Sequence, residues 1–146
     1  MANSYNMQVL RDGPRNFVVR VTGEIDLTVA TPIDIPVTQL TTVATMSPPC
    51  KALRVDRVKF SQPNSSNLDV QLWWQATTNE LFWGMSGGDD NEFSNFGGLT
   101  NNATPGATGD ILFSTTGVGG TPTTAAGALT FAVIVECVKL QPQYKL

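Results

Sequence analysis

The chain contains no histidine in its 146 residues. That absence removes Ser-His-Asp and Cys-His nucleophilic catalysis, histidine acid–base chemistry and histidine-ligated metal sites. Charge is also thin: 14% of residues are Asp, Glu, Lys or Arg, against about 25% in typical globular domains. Net charge is −3, which argues against a general nucleic-acid or anionic-membrane binder. No apolar run approaches the ~20 residues of a membrane helix; the longest, Ala128 to Val135, is interrupted by Thr130. Two cysteines, Cys50 and Cys137, are too few for a disulfide framework. They read as two buried thiols in a reducing cytosol, with a single bridge from Cys50 to the last strand as the alternative. Met1 to Tyr5 shows neither a basic nor an apolar signal-peptide region, so no secretion signal is expected.

What the chain has instead is 18 Thr, 14 Val, 13 Gly and 9 Pro, a composition of strands and turns rather than helices. At 146 residues one domain can bury a self-sufficient core. The expected fold is therefore all-β, a single-domain antiparallel β-sandwich spanning 1–146 with a short N-terminal segment, possible jelly-roll connections and a long Gly/Asn/Asp-rich loop at about 86–109.

The pattern along the chain supports this. Met7–Leu10 leads into an Arg11-Asp12-Gly13-Pro14 turn. Asn16–Thr22 alternates, with Phe17, Val19 and Val21 on one face, and Gly23 ends that strand or marks a bulge. Pro32 and Pro36 confine their region to an edge. In Ala52–Gln62 the alternation slips, and a bulge near Asp56-Arg57 would put Leu53, Val55, Val58 and Phe60 on one face. Leu68–Ala76 and Leu81–Met85 form a hairpin with three tryptophans. Leu129–Leu140 is apolar on both faces in its middle and is expected to lie centrally in a sheet.

Few constellations suggest chemistry. Asp89, Asp90 and Glu92 invite a Ca²⁺ reading, but their spacing favours a solvated loop tip. No two of the twelve acids are spaced in a way that marks a glycosidase pair. Lys51, Arg54, Arg57 and Lys59 resemble a phosphate-binding stripe, yet the slipped alternation is expected to scatter them over both faces. Between Phe60 and Val138 there is no basic residue and seven acids. This asymmetry becomes a dipolar surface only if strand order keeps the segments apart. Trp73 lies opposite the Val70/Leu72/Trp74 face, so it belongs to a second apolar layer, is a partly covered surface Trp, anchors an interface or forms a sugar-stacking platform.

Three stretches carry a resemblance: Leu72-Trp73-Trp74-Gln75-Ala76-Thr77, Asn95-Phe96-Gly97-Gly98-Leu99-Thr100-Asn101-Asn102, and Gly106-Ala107-Thr108-Gly109-Asp110-Ile111. With the opening Val9 to Asn16, Thr22-Gly23 and the closing strand Thr130 to Lys139, they resemble small virion structural proteins of tailed double-stranded-DNA bacteriophages. These are capsid decoration, or cement, proteins; Pro105 and the doubled tryptophan depart from their pattern. The resemblance implies a non-enzymatic protein on the outer capsid surface, bridging copies of the major capsid protein. It implies a homo-oligomer, with a trimer the expected form, and no cofactor, metal, nucleic acid or membrane. The expected interface residues are Tyr5, Trp73, Phe93, Phe96 and Leu99. Two other classes stay open: a carbohydrate- or receptor-binding module of a phage tail, neck or spike, and a glycan-degrading β-sandwich enzyme.

Overall fold

A computed structural model describes residues 4–26, 35–61, 69–85, 88–103, 105–116 and 128–140. Nine strands form: β1 (Ser4–Asp12), β2 (Asn16–Asp26), β3 (Ile35–Gln39), β4 (Ala52–Ser61), β5 (Asp69–Trp74), β6 (Glu80–Met85), β7 (Asp89–Glu92), β8 (Ile111–Thr116) and β9 (Ala128–Leu140). They make two antiparallel sheets, one ordered β1-β2-β9-β4-β7 and the other β3-β8-β5-β6. The pairs β2·β9, β3·β8, β4·β7 and β5·β6 describe one long hairpin rolled into two layers. That is the jelly-roll order, and the all-β sandwich expectation holds. β1 is an addition to it, hairpinned onto β2 through a turn closed by Gly13 N donating to Asn16 O at 2.9 Å.

Alternation sends one face of each strand inward. Phe17, Val19 and Val21 of β2 meet Val70, Leu72 and Trp74 of β5 in the core, with Ile111 and Phe113 of β8. Each fully buried side chain of this size contributes about 1.5–3 kcal/mol. In β4 the register against β9 shifts between Val55 and Arg57. The bulge at Asp56 restores the phase, so Leu53, Val55, Val58 and Phe60 are all buried, as the sequence pattern predicts. β3 is an edge strand whose register shifts between Ile35 and Thr38, around Pro36. Cys50 and Cys137 are buried free thiols.

Several expectations are corrected. Gly23 neither ends β2 nor bulges: pairing with β9 runs unbroken from Asn16 to Asp26. A Cβ at Gly23 would come within 2.5 Å of Phe131 Cε1, so the ring occupies the side-chain space. β9 is central, but only its inner face is fully buried; Ala132, Ile134, Glu136 and Val138 are half-buried. Among the described residues no further layer covers them, and Ile134 has Arg20 and Lys59 directly opposite on its two neighbours, whose long stems shield apolar surface. The segment expected as one long loop at about 86–109 is not loop throughout. It contains β7, the 3-10 turn Ser94–Phe96, and a bridge from Leu99 to Val55.

Candidate interaction surfaces

The segment after β7 is fixed at both ends on the outer edge of β4. Phe93 N donates to Asp56 O at 2.7 Å, the carbonyl of the bulged residue, and Leu99 exchanges backbone bonds with Val55 at 2.8 and 2.9 Å. Gly97 and Gly98, with φ of 90° and 78°, turn the chain back through left-handed conformations that other residues avoid. Between these anchors the two phenylalanines separate. Phe93 is 4% exposed and packs edge-on against Trp83, centroids 4.8 Å apart, closing the seam between the two sheets. Phe96 is 67% exposed, with its ring centroid 6.1 Å from that of Phe93. Of the expected interface residues here, Phe93 is therefore a core residue that holds the loop. Phe96 is the ring presented to solvent, and Leu99 is half-buried.

The other two candidates lie elsewhere. Trp73 is half-buried on the outer face of the four-stranded sheet, opposite Leu112, and its Nε1 donates to Ser114 Oγ at 3.1 Å. Tyr5 sits on β1, its ring edge-on to Phe113 with centroids 5.3 Å apart. The five residues thus do not form one patch.

β1 carries a feature that the sequence did not single out. All nine of its residues are exposed. Tyr5, Met7 and Val9 register against Gly23, Val21 and Val19, so they face the core side, yet they are 43%, 40% and 55% exposed. The five-stranded sheet is one strand wider than its partner, and β1 overhangs. Leu10, the bulged residue between Val9 and Arg11, adds 45% exposure.

Arg54 and Arg57 on the outer face of the larger sheet are ion-paired. The bulge that aligns the apolar residues of β4 also aligns Arg54, Arg57 and Lys59 on the opposite face, against Val138, Glu136 and Ile134, so these three are not scattered; Lys51 precedes the strand. Arg54 Nε donates to Asp56 Oδ1 at 2.8 Å. Arg57 grips Asp90 with two nitrogens and lies 3.8 Å from Glu136. That guanidinium holds the Asp90 carboxyl below its ordinary range, chiefly by hydrogen bonding. β7 thus brings acids of the central segment onto the basic strand, and the sequence asymmetry cancels locally. Among the described residues no group of three or more His, Cys, Asp or Glu is placed to hold a metal ion.

Two open grooves accompany this face. One of about 830 Å³ includes Ser4, Asn6, Thr22, Ser61 and Thr130, with Glu24 the sole carboxylate among its described lining residues. The other, of about 250 Å³, holds Asp56, Glu92 and Glu136. Each of these three carboxylates is engaged, by Arg54, Ser94 Oγ and Arg57 respectively. No protein-family model matches the chain, and no curated protein is significantly similar to it.

Proposed function

We propose that this chain is a non-enzymatic virion structural protein that binds the outside of a tailed-phage capsid and cements neighbouring major capsid proteins. The observation that carries the reading is Phe96: a large apolar ring, 67% exposed, on a turn anchored at both ends by backbone bonds. A rigidly presented aromatic loses little freedom on binding, and aromatic residues, Phe among them, are enriched at protein interfaces. A jelly roll is a frequent architecture of viral structural proteins, though also of lectins, so the fold is compatible with the role without deciding it. The sequence resemblance adds the capsid. A protein that binds only the assembled shell stabilises it by mass action, and many copies holding adjacent capsid subunits act together.

The test uses purified chain added to expanded, undecorated phage shells, followed by electron microscopy and a heat-release assay. Stoichiometric density on the outer shell and later DNA release support the role. Binding confined to a tail tip, or to glycans, rejects it. Phe96→Ala is expected to weaken shell binding at least ~10-fold while the fold stays within ~0.5 kcal/mol of the parent. Phe93→Ala should instead cost about 3–5 kcal/mol of stability, as emptying a buried aromatic site does.

A further inference from the structure

We infer that β1 is a self-association edge, at which a second copy of this chain adds antiparallel to the first and joins the two five-stranded sheets into one. Among the described residues the outer edge of β1 has no strand partner, which leaves a row of backbone donors and acceptors open to another strand. Natural edge strands are usually blunted by Lys, Pro or inward-pointing charge. From Ser4 to Leu10 this one has none of these; Arg11 and Asp12 come only after the Leu10 bulge.

The occupant follows from the pattern of the strand itself. An antiparallel pair of identical strands has a twofold axis. With Met7 on that axis, Met7 stands opposite Met7 of the second copy. Tyr5 then stands opposite the second Val9, and Asn6 opposite the second Gln8. Tyr5, Met7 and Val9 share the core-side face, so this register extends their apolar stripe across both copies, while on the other face Asn6 meets Gln8, whose Oε1 accepts from Arg20 and whose amide nitrogen faces the second copy. An aromatic residue directly opposite a β-branched one, as Tyr5 opposite Val9, stabilises a sheet, and no like charges meet although each chain is net negative. A seam of this length falls short of the ~1,200 Å² of a stable interface, so the dimer is weak and concentration-dependent. The inference stands independently of the capsid role.

The experiment is a single-cysteine scan of the full chain at Tyr5, Met7, Gln8 and Val9 in a glutathione redox buffer, with sedimentation velocity of the unmodified protein. Cα atoms opposite one another in an antiparallel pair lie ~4.5–5.5 Å apart, inside the ~4.4–6.8 Å that a disulfide spans. Cysteines at Tyr5 or Val9 are offset from their own copies by four residues, ~13 Å. Met7→Cys is therefore expected to form a covalent dimer and Tyr5→Cys and Val9→Cys to remain reduced, with buried Cys50 and Cys137 taking no part. Met7→Lys, exposed enough to leave the fold intact, should weaken the dimer at least ~10-fold. A sedimentation coefficient that stays monomeric up to near-millimolar protein overturns the inference, as does a cross-linking profile that is flat or peaks away from Met7. A dimer insensitive to Met7→Lys overturns it equally.

Discussion

Lys139 Nζ donates to Asp12 Oδ1 at 2.6 Å and to Pro48 O at 2.9 Å, tying the last strand to the end of the first. The Lys139 side chain is fully buried while that of Asp12 is about a quarter exposed, and Asp12 Oδ2 also accepts from Ser47 N at 3.0 Å. The two ends of the pair are therefore unequal. Asp12→Ala leaves a buried ammonium with one carbonyl and is expected to cost about 3–5 kcal/mol. Lys139→Met leaves a carboxylate that water can reach, and should cost less. Urea midpoints of the two variants check the order; equal losses would mean that burial of the ammonium is not what makes the pair matter.

The two thiols are expected to be silent in the native state. Burial pushes both Cys50 and Cys137 above the ordinary thiol value, and only the thiolate reacts. A thiol-specific chromogenic reagent at pH 8 should label neither until urea unfolds the chain, and then both together. Rapid labelling of one thiol in the folded protein would mean that its site opens locally.

How much of this was legible in the sequence depends on whether burial or pairing organised the segment. The β4 bulge could be read because Leu53 and Val55 share a phase that Val58 and Phe60 break, and Pro36 marked an edge. β7 could not: Asp89–Glu92 has no apolar alternation and is held by pairing with β4 and by the grip of Arg57 on Asp90. Nor could spacing say which of Phe93 and Phe96 turns inward. That choice is made by the Asp56 carbonyl, distant in sequence, and the Trp83 ring on a neighbouring strand of the other sheet. The exposure of Tyr5, Met7 and Val9 was equally hidden, since it arises from a mismatch in the widths of two sheets.

Asp110 gives the protein a stability component that favours acid. Its carboxylate is partly desolvated, which raises its pKa above the ordinary 3.8, against the opposing hydrogen bonds from Val43 N, Thr41 and Thr108. A carboxyl whose folded pKa is raised binds its proton more readily in the folded state, so its contribution improves as pH falls through the folded value toward 3.8 and worsens as pH rises. Asp110→Asn cannot titrate. Relative to that variant, the parent should therefore gain stability between pH 7 and pH 4 in urea titrations. A parent that loses ground over this range would show that the hydrogen bonds outweigh desolvation.

Gly23 is the last test, because it separates backbone need from packing. Its backbone pairs as ordinary strand with Phe131 on one side and Tyr5 on the other, so an L residue is excluded by the Phe131 ring and by Ser4 O, 2.8 Å from the missing Cβ. Gly23→Ala should cost about 1–3 kcal/mol through overpacking. If the ring is the obstacle, the same substitution in a Phe131→Ala background should cost less, with a coupling of about 0.5–3 kcal/mol between the two sites. Additive losses would place the obstruction at the Ser4 carbonyl instead, and would predict that loosening β1, rather than emptying the core, relieves it.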